Sequence, residues 1–245
     1  MGTKVNIMDL EVDLLTQETL QDEILNFLDN DLLNVVHMIS LDYMDAFDQN
    51  ELVKNVLGQA DLVLPGEKAI LTRHHVDVLE TGGMVVDYHG ISGLLEPLRQ
   101  LEKTIYLVLR NAKEAKTVYR YLSKYFEKER IVGVYAADGE VTEETLINDI
   151  NTKLPDIILL SMDSTSQEEW LENNRAKVNA KLCFAAGSVM PLVLRENVYV
   201  PIWMKRLHLG RIYRWIVGIP YSHSFRRRIF HRKMDDYNIK KKFRR

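Results

Sequence analysis

Apolar residues fall in short continuous runs along most of the chain, separated by stretches in which they recur every three or four positions. VNIM (5–8), LNVVHMIS (33–40), DLVLP (61–65), TIYLVLR (104–110), RIVGVYA (130–136), PDIILLSM (155–162) and AKLCFAA (180–186) are rich in Val, Ile and Leu. Continuous runs of this kind predict buried strands covered on both faces, as in a parallel sheet. Between them, Leu20, Ile24, Phe27 and Leu28 share one face of a helix that Thr16 is placed to cap. Ala112, Ala115, Val118, Leu122 and Phe126 recur at helical spacing, and Asp138-Gly139 predicts a turn. Thr142 stands before Glu143-Glu144, whose acids suit the positive end of a helix. Strand, helix and strand in alternation predict an α/β fold with a mostly parallel sheet. Ligands of such sheets bind beyond the carboxyl ends of the strands. The informative stretches are therefore those around Ser40, Pro65 to Lys68, Arg110-Asn111, after Tyr135, Asp163 to Glu168, and Gly187 to Met190.

Length and composition narrow this without changing it. The 245 residues are 46% apolar and 27% charged, a globular composition that excludes disorder, collagen and coiled coil. The one cysteine, Cys183, has no internal partner, which predicts a reducing compartment. No apolar run approaches the roughly 18 to 20 residues that span a bilayer, and MGTKVNIMDL lacks a signal-peptide core, so the chain is expected to be neither secreted nor transmembrane.

Charge divides the chain in two. Trp203 to Arg245 carry 14 Lys/Arg against two acids, a net of +12, while the preceding 202 residues carry 18 against 33, a net of −15. The expected organisation is one domain over residues 1–200 and a basic appendage over 201–245. In that appendage Trp203, Met204, Leu207, Ile212, Trp215 and Ile216 interleave with Lys205, Arg206, Arg211 and Arg214. Arg226-Arg227-Arg228 and Lys240 to Arg245 follow. An amphipathic, Trp-bearing basic segment suits an anionic membrane surface, at about 1 kcal/mol per Lys or Arg near the leaflet. Nucleic acid is the weaker alternative, and a solvated tail the plainest one.

Motifs for common chemistries are missing: no phosphate loop, GxGxxG, GxSxG elbow, HExxH or CxxC pair occurs. His74-His75 is the one histidine pair; adjacent side chains point apart, so no metal site is expected. Asp163-Ser-Thr-Ser-Gln-Glu-Glu-Trp170 follows a strand and opens a helix. Ser164-x-x-Gln167 and Thr165-x-x-Glu168 both match a capping box, Asp163 is itself a capping type, and a helix start is also where a diphosphate binds.

That stretch carries a resemblance. PDIILLSMDSTSQEEWLENNRAKVNAKLC is similar to the signature of the WecG/TagA/CpsF family of bacterial glycosyltransferases, with Gln167, Glu168, Trp170, Asn174 and Arg175 at matching positions. WMKRLHLGRIYRW (203–215), ADLVLPGEKAIL (60–71) and VNIMDLEVDLLTQETLQDEI at the start extend the likeness over nearly the whole chain.

The resemblance implies a Rossmann-like domain that moves an N-acetylhexosamine-type sugar from a UDP donor to a polyprenyl-diphosphate-linked acceptor. Transfer would invert the sugar without metal or other cofactor, a carboxylate deprotonating the acceptor hydroxyl, at the cytoplasmic face of the membrane. Glu67, one position past the place of the family's aspartate, would be the replacement base by a shift of register, a solvated surface acid being the alternative for it, and Ser40, Ser164, Gln167, Glu168 and Gly187 would lie around the donor. Arg214, Arg226, Arg227 and Arg228 would meet lipid or its diphosphate. The sequence also departs from the pattern. Gly66 stands at the family's aspartate after LP, Met38 and Ser40 at its threonine and asparagine, and Val85 at its arginine. Arg110-Asn111 replace a Gly-Gly, Asp163-Ser164-Thr165 a Gly-Ser-Pro, and Met190 an aspartate. Core positions persist where polar ones have changed, so a non-catalytic scaffold that partners an active glycosyltransferase, or a homo-oligomer, is the competing expectation.

Overall fold

A computed structural model of the protein describes residues 2–72, 84–187 and 189–196. Its centre is a six-stranded, all-parallel sheet built from β3 (Asn34–Ile39), β4 (Leu62–Pro65), β5 (Ile105–Leu109), β6 (Ile131–Ala136), β7 (Ile157–Ser161) and β8 (Leu182–Ala185). The strands lie in the order β4-β3-β8-β7-β5-β6. These are the six apolar runs after the first. Residues on one face, among them Val36, Met38, Leu107, Leu109 and Leu159, are buried under α1 (Gln17–Asp29), α5 (Gly90–Gln100) and α6 (Ala112–Leu122). Val35, Val108, Ile158 and Leu160 alternate onto the other face, beneath α7 (Glu143–Lys153) and α8 (Ser164–Asn174). Burial on both faces is what the unbroken runs required.

The helices begin where side chains can take the unpaired amides of a first turn. Thr16 Oγ1 accepts from Thr19 N at 3.1 Å and Thr142 Oγ1 from Thr145 N at 3.3 Å, as the sequence predicts. Helix α5, which is not among the helices expected from sequence, carries Pro97 in its interior. The proline removes the bond that Gly93 O would receive, and that carbonyl accepts from Gln21 Nε2 of α1 instead, at 3.0 Å.

The first run behaves differently from expectation. VNIM forms part of β1 (Thr3–Ile7), which stays out of the parallel sheet and pairs antiparallel with β2 (Leu10–Leu14). The two-residue turn between them puts Met8 and Asp9 at φ 54° and 67°, the left-handed pair that a tight hairpin requires. Neither is the Asn-Gly or Asp-Gly that would have signalled it. This hairpin lies along the outer edge of β4, where Asp13 Oδ2 accepts from Val63 N at 2.9 Å. Lys4 Nζ stands 3.4 Å from the other Asp13 oxygen. The basic appendage, with Arg214 and Arg226 to Arg228, lies outside the described residues.

Candidate active site at the carboxyl edge of the sheet

Four neighbouring strand ends carry the residues that the sequence singles out. After β3, Ser40 caps α2 (Leu41–Gln49), its Oγ accepting from Tyr43 N at 3.3 Å. After β4 the chain turns at Gly66, whose amide donates to Ile39 O at 2.7 Å. A Cβ there would stand 2.6 Å from that same oxygen, so only glycine passes this close to β3. Glu67 follows and turns back under α2: Oε1 accepts from Leu41 N at 2.9 Å, and the side chain is 5% exposed. After β8, Gly187 N donates to Gln167 Oε1 at 3.0 Å. After β7, Ser164 opens α8 and is half-buried.

Gln167 and Glu168 lie inward of this edge rather than on it, both essentially buried. Gln167 is held at both ends of its amide: its oxygen accepts from Gly187 N, and its Nε2 donates to Glu168 Oε1 at 2.9 Å. Neither Ser164 nor Thr165 caps α8. Asp163 does, with Oδ1 accepting from Ser166 N at 3.2 Å, because the helix starts one residue earlier than a Ser164 box requires and two earlier than a Thr165 box. Trp170 is buried against the sheet.

The residues that sequence reasoning missed lie one layer below. His37, on β3, is completely buried, with Nε2 3.7 Å from Glu168 Oε2. Burial in apolar surroundings holds its imidazole down at about 3, helped by the positive charge of Arg175. Glu168 is pushed up to about 7 by burial, against the nearby Tyr43 hydroxyl and the Gln167 hydrogen bond, both of which favour the carboxylate. The Tyr43 hydroxyl lies against Glu168 without reaching ordinary hydrogen-bond geometry. One signal was available: a histidine in the middle of LNVVHMIS breaks an otherwise apolar strand.

These two shifts have opposite signs and predict a plateau. A raised carboxyl costs stability as pH climbs from about 4.5 to 7, while a depressed imidazole costs stability as pH falls from about 6.5 to 3. Between pH 4.5 and 6.5 the slopes cancel. Glu168→Gln removes one of them, so the stability of that variant should rise by about 3 kcal/mol across the same window relative to the parent, measured by urea unfolding at each pH.

A second polar group sits where α6 and α8 leave β5 and β7 toward opposite faces, the crevice in which doubly wound sheets bind ligands. Arg110 N donates to Ser161 O at 3.0 Å, and Ser161 Oγ donates to Glu114 Oε1 at 2.8 Å. Arg110 Nε is 3.9 Å from the other Glu114 oxygen. Asp138 Oδ1 accepts from Ala112 N at 3.0 Å. Three helix starts on this edge therefore hold carboxylates of the chain itself: Glu67 on α2, Asp138 on α6 and Asp163 on α8.

With this geometry stands one match across most of the sequence: residues 5–219 fit the Glycosyl transferase WecG/TagA/CpsF family. The chain belongs to that family. A comparison with curated proteins found no match. WecG/TagA/CpsF proteins are glycosyltransferases of cell-surface polysaccharide synthesis, which use a sugar-nucleotide donor and a lipid-linked acceptor. Among the described residues no helix is long and apolar enough to cross a membrane. Met38, Val85 and Met190, at which the resemblance leads one to expect polar residues, are all buried within the extensive apolar core on the α1, α5 and α6 side of the sheet.

Proposed function

We propose that the protein transfers an N-acetylhexosamine-type sugar from a UDP donor to a polyprenyl-diphosphate-linked acceptor. The observation that carries this reading is the alignment of Glu67, Ser40, Gly187 and Ser164 on the successive ends of β4, β3, β8 and β7. The backbone turns at Gly66 and Gly187 form the floor, and Gln167 holds the second of them in place. Glu67 takes the proton of the acceptor hydroxyl. The basic segment 201–245 meets the anionic leaflet at the cytoplasmic face, with Arg214 and Arg226 to Arg228 toward the lipid diphosphate.

A second reading has its own support. Hydrocarbon fills the positions of Met38, Val85 and Met190, and carboxylates fill the helix starts that would receive phosphates. Both suit a scaffold that has kept the fold and partners an active glycosyltransferase. Calorimetric titration with UDP and UDP-N-acetylhexosamines separates the two. Saturable binding in the micromolar to millimolar range is expected; none at millimolar ligand would overturn the transferase reading and favour the scaffold.

A further inference from the structure

Five buried polar atoms on β3, α2 and α8 have no hydrogen-bond partner of ordinary geometry: both ring nitrogens of His37, the Tyr43 hydroxyl, Glu168 Oε2 and Trp170 Nε1. The transferase reading uses none of them. His37 and Glu168 face each other at 3.7 Å, and the Tyr43 ring meets His37 edge-on with centroids 6.0 Å apart. Buried polar groups of this kind are costly unless their protons are arranged to match, so the question is where the protons sit.

A doubly protonated imidazole would put a full positive charge in completely buried surroundings that Arg175 makes still less favourable, so the ring stays neutral. A neutral ring leaves two arrangements. In the first, Glu168 is a carboxylic acid that donates from Oε2 to His37 Nε2, and the ring proton is on Nδ1. In the second, the carboxyl proton has left to solvent, the ring proton has moved from Nδ1 to Nε2, and Nε2 donates to the carboxylate. Each arrangement draws the 3.7 Å contact in to a hydrogen bond.

We propose that His37 and Glu168 form a two-state proton latch beneath the carboxyl edge, and that Glu168 is a positioning residue through which the latch is read at Gly187. The connection is continuous. Glu168 Oε1 accepts from Gln167 Nε2 at 2.9 Å, and Gln167 Oε1 accepts from Gly187 N at 3.0 Å. Ionising the carboxyl group strengthens the first bond, polarises the amide and strengthens the second. The other groups facing the pair are Tyr43 from α2, whose hydroxyl favours the carboxylate, and Cys183 from β8, a thiol that burial keeps protonated. Arg175, just past α8, disfavours a second proton on His37. The proposal rests on the transferase reading only in taking the Gly187 turn as part of the donor pocket.

The test is nitrogen-15 NMR of the ligand-free, full-length protein between pH 5 and 9. The ring of His37 should stay neutral while its Nδ1 and Nε2 resonances exchange character with a midpoint near 7, and the Gly187 amide should move with the same midpoint. Glu168→Gln should abolish both steps. Tyr43→Phe, which spares the carboxyl group but removes a hydroxyl that favours its ionised form, should shift both midpoints upward together. A single His37 tautomer throughout, a second proton entering the ring in this range, or a Gly187 amide that ignores the step would each overturn the latch. Because no donor is present in these measurements, failure to bind UDP would remove the reading of the pocket and leave this result standing.

Discussion

Glu67→Gln is expected to lower the turnover of sugar transfer by about 10²–10⁴-fold while the protein stays folded. The substitution is nearly isosteric, and a glutamine oxygen can still accept from Leu41 N as Glu67 Oε1 does. What it cannot do is take a proton from the acceptor hydroxyl. The loss should therefore fall in kcat with KM for the donor little changed, the pattern of an interaction made in the transition state alone. Glu67→Ala separates the chemistry from the architecture. It leaves a buried amide at the start of α2 unpaired, which costs about 1–3 kcal/mol of stability in addition to the lost base. Steady-state transfer assays with both variants, beside their thermal unfolding, check the assignment. Equal turnover in Glu67→Gln and the parent would make Glu67 a purely structural brace for α2.

Gly187→Ala should cost about 4 kcal/mol or more, among the largest effects of any single methyl group in this protein. A Cβ at this position would stand 2.0 Å from Met162 O and 2.7 Å from Gln167 Oε1. The first of these is backbone in the next strand end, which cannot turn aside as a side-chain tip can. For a domain of this size the melting temperature should drop by about 10 °C or more, read by calorimetry. Gly58→Ala is the matching control. It sits at the end of α3 (Glu51–Gly58) with open space around it, and it should be neutral or slightly stabilising, by up to about 1 kcal/mol.

How far the sequence could be read depended on how local the determining physics was. The six sheet strands were legible because a strand buried on both faces must be apolar along its whole length, and the caps at Thr16 and Thr142 because one hydroxyl and one amide three residues on decide them. The β1–β2 hairpin was not legible. Met8 and Asp9 adopt their left-handed turn because tertiary packing holds them there, and neither residue type announces it. The family, and with it the glycosyltransferase chemistry, was legible from Gln167, Glu168, Trp170, Asn174 and Arg175 taken together. Their orientation was not. A polar residue near the start of a helix at a strand end is as readily turned inward as outward, and Gln167 and Glu168 turn inward toward Gly187 and His37. That Met38, Val85 and Met190, some 150 positions apart in sequence, are all buried in the same apolar core needed the fold.

The side-chain bond from Asp13 to the amide of Val63 has a consequence for how the molecule ends. An outer strand with free amides is a template on which further strands of any origin can grow. Here the hairpin lies beside β4 without lengthening the sheet, and a carboxylate occupies one of the amides that another chain would need. The first fourteen residues thus work as a selvedge. Cutting them away would leave every strand of the six-stranded sheet present in the sequence, yet turn a finished border into one that can fray and knit to its neighbours.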